Sequence, residues 1–264
     1  MNDLEEFKDK HSGEKVVLVG NGPSLAETNL DLIEQKDICS IAMNRIDLIF
    51  PKTKWRPTYY LYASDNIFNE LWGERWKSSV NNMINSGTTC FIKKDYKRHL
   101  VTKDKEADNV YWFEAIDFIN EWKRKRFKQK IMEAFKLYAP SLKIKPISMS
   151  DRVFSKNPKE YLSKFGSSML IAYQLAYYMN FSKVILVGCD LKWRTSTKQK
   201  DEDPNHFVKN YGANIAFGLE DSLLVKTAHE LAKKHLNDKG IRTVNASIDT
   251  ELEIFERKKL EEVL

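Results

Sequence analysis

A glycine-rich turn near the N-terminus has the residue types that can hold a phosphate group. Residues 20–24 read Gly-Asn-Gly-Pro-Ser, follow a continuous apolar run and precede a helical pattern. Glycines let the backbone approach a phosphate, and the free N–H groups of a first helical turn attract anions. The turn lacks the third glycine of the dinucleotide fingerprint and the Gly-Lys-Ser/Thr of a P-loop. It therefore indicates nucleotide binding by an unusual loop, with a plain tight turn as the alternative. The candidate nucleotide-binding residues here are Gly20, Asn21, Gly22, Pro23 and Ser24.

Polar side chains also stand at the ends of four further predicted strands. Asn44, Asp65, Asp190 and Asn245 each follow an apolar, strand-like run. In an open parallel sheet, ligands bind beyond the carboxyl ends of the strands. Each of these residues alone could be an ordinary turn residue, but together with the glycine-rich turn they predict one polar pocket.

A second candidate anion site begins a later helix. Gly166 is followed by Ser167 and Ser168, and an apolar helical pattern then runs to Met179. Hydroxyl groups at a helix start can cap the helix, or they can face a phosphate as a second anion cradle. The sequence leaves both readings open, and both serines are candidate nucleotide-binding residues.

The polar stretch Arg194–Gly218 contains the candidate general base. Loops this long in compact domains are usually functional or disordered. His206 lies inside it, in the segment Asp-Pro-Asn-His-Phe, and imidazole titrates near neutral pH. We expect His206 to act as the base, with Asn205 beside it in contact with substrate. The other histidines occupy charged or helical surface surroundings and are predicted to be structural, namely His11, His99, His229 and His235.

The elements that must position these residues alternate between strands and helices, which predicts an α/β fold with a mostly parallel sheet and helices on both faces. The predicted strands are Lys15–Val19, Ile38–Met43, Tyr59–Ala63, Thr88–Ile92, Val110–Phe113, Lys183–Val187 and Arg242–Val244. The predicted helices are Ser24–Glu34, Ile67–Asn82, Phe118–Tyr138, Ser167–Met179, Glu220–Lys239 and Glu256–Val263. We expect a single Rossmann-like domain over residues 1–264, with a less regular helical and basic insertion at about 68–160.

Composition narrows the class of protein. The chain has 264 residues, of which 42% are hydrophobic and 30% charged, so it can bury a core and is not mainly disordered. Its apolar runs fall short of the roughly 18 residues that span a bilayer. The mixed charges of the first residues are unlike a signal peptide. Three scattered cysteines fit neither a disulfide framework nor a zinc site. A cytoplasmic location is expected.

The net charge of +6 comes from one segment. Residues 120–145 contain nine basic and two acidic residues, and the cluster Lys123–Lys130 continues into an amphipathic helical pattern. Such a helix can be a solvated face, or it can contact an anionic membrane surface or an acidic substrate. Nucleic acid is not an expected partner, because no known binding module is present.

The order of these motifs resembles a known family. The sequence is similar to the bacterial branch of the domain-of-unknown-function family that includes archaeal 6-hydroxymethylpterin diphosphokinase, and that family is similar to the Campylobacter-type sialyltransferases. The resemblance runs over roughly Lys15–Phe255 and is weakest over Phe68–Glu160. The motifs that carry it are Gly20-Asn21-Gly22-Pro23-Ser24-Leu25, Asn44, Asp65, Gly166-Ser167-Ser168, Val187-Gly188-Cys189-Asp190, Asp203-Pro204-Asn205-His206-Phe207 and Asn245-Ala246-Ser247.

The resemblance implies a Rossmann-like transferase. By analogy with the sialyltransferases, Asn21 and Asn44 would contact a CMP-sugar, Ser167 would begin the second cradle, and His206 would be the catalytic histidine. Lys164 stands near the position of an arginine of that family, as a candidate substrate contact. Asp65 stands near the position of an asparagine. A carboxylate facing a phosphate needs a cation between them, so this departure leaves room for magnesium held by Asp65 and Asp190.

Three functions remain open at this point. The leading one is a nucleotide-sugar glycosyltransferase of bacterial surface-polysaccharide or glycoconjugate assembly, with His206 and Asp190 as catalytic residues and a hydroxyl acceptor. The second is a magnesium- and ATP-dependent diphosphokinase acting on a pterin-like alcohol. The third is a non-catalytic module that docks on a membrane or partner through the basic helix. A peripheral position at the inner membrane and an oligomer are compatible with each.

Overall fold

The structure is a computed structural model that describes residues 3–100, 107–119, 123–124, 151–192, 203–209, 211 and 219–264. Its strands are β1 (Lys15–Val19), β2 (Cys39–Met43), β3 (Tyr59–Tyr62), β4 (Thr89–Lys93), β5 (Val110–Phe113), β6 (Ala115–Asp117), β7 (Leu162–Lys164), β8 (Lys183–Val187), β9 (Arg242–Asn245) and β10 (Glu256–Arg257). Its α-helices are α1 (Asp31–Gln35), α2 (Gly73–Asn85), α3 (Ser168–Tyr178), α4 (Leu219–Asp238) and α5 (Leu260–Val263).

Eight strands form one parallel sheet in the order β10-β9-β8-β1-β2-β3-β4-β5. From β1 the chain runs outward through β2 to β5, and it later returns to the other side of β1 as β8. Val19, at the end of β1, therefore pairs with Ala42 on one side and with Val187 on the other. This reversal of strand order opens a crevice beyond the carboxyl ends of β1 and β8, which is where open α/β sheets bind their ligands.

Helices cover both faces of the sheet, so the fold is Rossmann-like, as the alternating pattern predicts. One face packs Val16 and Leu18 of β1 against α3 and α4. The other face packs Val17 and Val19 against α1, α2 and α5. Both faces of β1 are buried, which explains why its sequence is a continuous apolar run rather than an alternating one.

Strands β6 and β7 form a separate two-stranded parallel sheet. The side-chain amide of Gln174 connects this part of the chain to α3. The fully buried Gln174 side chain accepts from the backbone N–H groups of Ser155 and Ser163 at 2.9 and 2.8 Å. It donates to the carbonyls of Ser163 and Leu170 at 2.9 and 3.0 Å. Because both amide atoms are paired, the buried polar group fixes the approach to α3 without a desolvation penalty.

The seven predicted strands are confirmed to within one residue at each end. The predicted helix Ser24–Glu34 is wrong: a 3-10 helix at Pro23–Glu27 is separated from α1 by extended backbone at Thr28. The Thr28 hydroxyl donates to the Ser24 carbonyl at 3.0 Å, a local bond that competes with a continuous helix. The predicted helix Glu256–Val263 is also wrong in its first residues, which form β10 beside β9.

The stretch predicted as a less regular insertion contains two strands of the main sheet, β4 and β5, together with α2. Most of the predicted helix Phe118–Tyr138 lies outside the described residues. Of the basic cluster Lys123–Lys130, residues 123 and 124 are helical and exposed and the remainder falls outside that description, so membrane contact stays a prediction. In the part of the chain that the structure describes, none of the helices combines the length and the apolar character needed to cross a membrane.

Candidate functional site

A cleft lies at the carboxyl edge of the sheet, in the crevice between β1 and β8. The structure brings nine of the candidate residues to it, namely Gly20, Asn21, Gly22, Pro23, Asn44, Ser167, Asp190, Asn205 and His206. Five separate segments of the chain thus meet at one site.

Gly20 and Gly22 must be glycines because the turn that follows β8 packs directly against them. The N–H groups of Gly20 and Gly22 donate to the carbonyls of Val187 and Gly188 at 2.8 and 2.9 Å. A Cβ atom on Gly22 would lie 2.6 Å from an Asp190 carboxylate oxygen, and one on Gly20 would collide with the Gly188 carbonyl. Glycine is therefore needed here for close backbone packing, a physical reason different from the phosphate approach expected from the sequence.

Asp190 orders the glycine-rich turn from within the protein. One carboxylate oxygen accepts from the Ser24 N–H at 2.7 Å, and the other accepts from the Ser24 hydroxyl. Burial raises the pKa of Asp190 above its ordinary value, and the two hydrogen bonds from Ser24 oppose that rise. The side chain of Ser24 thus points to Asp190, and Ser24 is not among the residues that line the main cleft.

Two carboxamides in the cleft carry acceptors without a donor. Asn21 donates through Nδ2 to the Met43 carbonyl at 3.1 Å, but its Oδ1 is buried and unpaired within the described residues. Oδ1 of Asn44 is in the same state, at a residue with a φ of 58°. The Asn44 carbonyl is fixed by the Tyr60 hydroxyl at 2.6 Å. Both oxygens are buried as they stand, so a ligand would meet them only if the two carboxamides turned towards the cleft that their residues line.

The candidate base, His206, is held on a carboxylate that sequence reasoning did not assign. Its Nδ1 lies 2.7 Å from Oδ2 of Asp203, whose side chain is 5% exposed. The Phe207 N–H donates to the Asn21 carbonyl at 3.1 Å and docks this segment on the glycine-rich turn. A carboxylate on Nδ1 places the proton of the neutral ring there and leaves Nε2 as an acceptor, the arrangement that a general base requires.

One wall of the cleft was not predicted from the sequence. Met169, Val225 and His229 line it from α3 and α4. His229 is predicted from the sequence to be structural and at the surface, but the structure buries it at 4% exposure. Its Nδ1 lies 2.9 Å from the hydroxyl of the fully buried Tyr173. The one feature of the sequence that points to this placement of His229 is the apolar run of α3, which predicts a central helix.

His229 should make the folded state sensitive to acid. Burial lowers the pKa of His229 from its ordinary 6.5 to about 4, so the folded protein keeps the ring neutral. This stability is fully present above pH 6.5 and falls as the pH drops towards 4, because the unfolded chain binds the proton first. We expect a loss of about 3 kcal/mol from this group. Urea unfolding at pH 7 and pH 4.5 should show a smaller loss of unfolding free energy in His229→Gln than in the wild type. The control His99→Gln, at an exposed histidine, should lose as much as the wild type. Equal losses in all three proteins would contradict this assignment.

Asp65 and Lys164 pair with each other outside the residues that line the cleft. Lys164 forms an ion pair with one oxygen of Asp65, and the other oxygen accepts from the Tyr96 hydroxyl at 2.8 Å and lies 3.5 Å from Lys93. Burial raises the pKa of Asp65, but Lys164 and Tyr96 lower it more, so it lies below its ordinary value. Asp65 thus already has its cation, supplied by the protein.

The carboxylates Asp65 and Asp190 therefore do not fit a magnesium site. Each has both oxygens engaged by other side chains or backbone groups, and among the described residues no three metal-ligating side chains converge. Magnesium dependence stays a prediction.

The remaining candidates have structural roles, and of these only Ser167 also lines the cleft within the described residues. The Ser167 Oγ accepts from the Met169 N–H at 3.1 Å and caps α3, while Ser168 is the first residue of that helix. Asn245 is fully buried and donates to the Leu252 carbonyl at 3.0 Å, so it shapes the exit of β9. Burial raises the pKa of Cys189, which excludes a ready thiolate at the cleft at neutral pH.

No family model matches this chain, and the search of curated proteins found no match. A solved structure with a similar fold is the MAf glycosyltransferase from Magnetospirillum magneticum AMB-1, with a TM-score of 0.52 at 12% sequence identity. The similarity covers 97% of this chain and 35% of that protein, so the chain spans about a third of its length. The relationship to pterin diphosphokinases and sialyltransferases stays a prediction. What the comparison shows is that the chain has the Rossmann-like α/β fold found in a glycosyltransferase.

Proposed function

We propose that this protein is a glycosyltransferase that binds a nucleotide-sugar in the cleft and transfers the sugar to a hydroxyl acceptor. The observation that carries the proposal is the imidazole of His206, held by Asp203 beside two carboxamides with unpaired acceptors at the switch point of the sheet. The fold it shares with a glycosyltransferase supports the reaction class.

His206 supplies the proton acceptor for the transfer. As the acceptor oxygen bonds to the anomeric carbon, its proton passes to Nε2 of His206, and the bond from that carbon to the phosphate oxygen breaks. The nucleotide leaves with the electron pair. Asp203 stabilises the resulting imidazolium through the 2.7 Å contact with Nδ1. Because the donor already contains the activated bond, this route needs no second cofactor.

Asn21 and Asn44 fit the nucleotide part of the donor. Turned towards the cleft, their unpaired oxygens would accept hydrogen bonds, which ribose hydroxyls and an exocyclic base amine can donate. The departing phosphate fits the start of α3, where Ser167 lines the cleft and the helix dipole favours negative charge. A CMP-sugar, whose cytosine carries such an amine, is the first donor to test.

Thermal unfolding in the presence of candidate donors tests this function. A ligand at 100 times its Kd stabilises the folded state by about 2.7 kcal/mol, which should raise the Tm by roughly 5–10 °C for a chain of this size. We expect a CMP-, UDP- or GDP-sugar to do so with or without magnesium. Stabilisation by ATP and magnesium alone would favour the diphosphokinase instead, and no shift with any nucleotide would contradict both enzymes.

A further inference from the structure

Tyr211 is packed face to face on His206. The ring centroids are 3.8 Å apart and the ring planes are inclined by 5°. Tyr211 itself is 1% exposed and is held edge-on by Phe207 and Trp76, with ring centroids 5.8 Å away in each case. A ring confined on three sides in this way leaves its stacked neighbour little freedom to tilt.

A buried arginine fixes Tyr211 from behind. The Arg45 N–H donates to the Tyr211 hydroxyl at 3.2 Å, and its guanidinium donates to the Tyr211 carbonyl. Nε of Arg45 donates to Ser79 on α2 at 3.2 Å, and Arg45 as a whole is 7% exposed. Both ends of Tyr211, the main chain and the phenol, are therefore tied to one residue.

Arg45 directly follows Asn44, whose φ of 58° and unpaired Oδ1 belong to the nucleotide side of the cleft. The contacts then run from the end of β2 through Arg45 and Tyr211 to His206. Asp203 fixes the hydrogen-bonding edge of the imidazole, and Tyr211 fixes its plane. The two constraints are complementary, because a single hydrogen bond on Nδ1 leaves the ring free to rotate about that bond.

We propose that Tyr211 is a positioning residue, anchored by Arg45, that sets the plane of the His206 imidazole relative to the donor bound beside Asn44. This inference rests on the proposed function in that it gives His206 the role of base. It predicts that the aromatic face of Tyr211, rather than its hydroxyl, carries the effect on turnover. A base misplaced by about 1 Å can lower the rate by as much as 10²-fold while the substrate still binds.

Two substitutions separate the ring from the hydroxyl. Tyr211→Leu removes the stacking face, and Tyr211→Phe keeps it while removing the acceptor for the Arg45 N–H. Tyr161→Leu is the matched control, because it also removes a tyrosine ring and one hydroxyl contact, to the Arg152 carbonyl at 2.8 Å. The probe is the CMP-, UDP- or GDP-sugar that the wild-type protein binds, and the readouts are nucleotide release, KM and the Kd of the donor.

We expect Tyr211→Leu to lower kcat by about 10- to 10²-fold with KM and Kd nearly unchanged. Tyr211→Phe and Tyr161→Leu should keep kcat close to that of the wild type. Wild-type kcat in Tyr211→Leu would overturn the proposal. A Tyr211→Phe variant as slow as Tyr211→Leu would also overturn it. So would a loss of donor affinity in Tyr211→Leu as large as its loss of kcat. Either result would indicate a general structural role.

A second readout does not depend on turnover. A tyrosine face stacked on an imidazole shields the ring protons, so the His206 signals in an NMR spectrum should move downfield in Tyr211→Leu and stay in place in Tyr211→Phe. The chain has five histidines, and His206→Ala assigns the signal. If the wild type turned over no nucleotide-sugar, the proposed function would fail, but the spectrum would still test whether Tyr211 packs on His206. Unchanged His206 signals in Tyr211→Leu would overturn the positioning role.

Discussion

Replacing His206 with alanine should lower the turnover of a nucleotide-sugar by ~10²–10⁴-fold, the usual contribution of a positioned general base. The donor affinity should stay within about twofold of the wild type, because the nucleotide is expected to contact Asn21 and Asn44 rather than His206. Removing Asp203 in the same protein should add little further loss, since the 2.7 Å contact makes the two residues one functional unit. Nucleotide release under saturating donor measures the rate, and titration calorimetry measures the affinity.

The matched control is His99→Ala. His99 is exposed and makes an edge contact with Phe68, with ring centroids 4.8 Å apart, so its loss should leave turnover unchanged. A His206→Ala protein that released nucleotide at the wild-type rate would show that another group takes the proton. The buried carboxylate Asp190 would then be the next candidate to replace.

Replacing Gly20 with alanine should destabilise the protein by about 1–3 kcal/mol, in the range of an overpacked core. The added Cβ would lie 3.0 Å from the Gly188 carbonyl carbon and 3.1 Å from the Cys189 sulfur, and closer still to the Gly188 oxygen. The backbone that follows β8 cannot move away from Gly20 without breaking the 2.8 Å hydrogen bond from the Gly20 N–H to the Val187 carbonyl. Urea unfolding gives the free energy directly, and donor affinity should fall with it because the same two turns form the cleft.

Gly240→Ala separates this collision from simple backbone strain. Gly240 has a φ of 81° and nothing within 4 Å of an added Cβ, so its substitution should cost about 1 kcal/mol from the left-handed backbone alone. Gly20 has no such φ, so its cost would come from the collision. If Gly20→Ala were as stable as the wild type, the close packing of the two turns would not hold in solution.

The sheet and its ligand edge could be predicted from sequence because their signals are local. Continuous apolar runs such as Lys15–Val19 and Lys183–Val187 are typical of strands buried on both faces, and both match the observed strands in full. Polar residues directly after parallel strands must fall at one edge, so Asn21, Asn44 and Asp190 could be assigned to a common site.

The rest of the site depends on contacts between residues distant in sequence, which a pattern does not carry. Asp65 follows β3 in the expected way, but Lys164, 99 residues later, draws it into an ion pair. His229 lies on a helix of mixed composition, and only the packing of that helix against α3 brings it to the cleft. Tyr211 stacks on His206, a contact that no spacing rule predicts.

The proposed function requires the cleft to bind the nucleotide of a sugar donor through the carboxamides of Asn21 and Asn44. Titration calorimetry of the stabilising nucleotide-sugar against the wild type, Asn21→Ala and Asn85→Ala tests it most directly. Asn85 is the exposed last residue of α2 and serves as the matched control. We expect Asn21→Ala to weaken binding by about 3- to 10-fold, the effect of one lost hydrogen bond, with Asn85→Ala unchanged. Equal affinity for the wild type and Asn21→Ala would show that Asn21 does not bind the nucleotide.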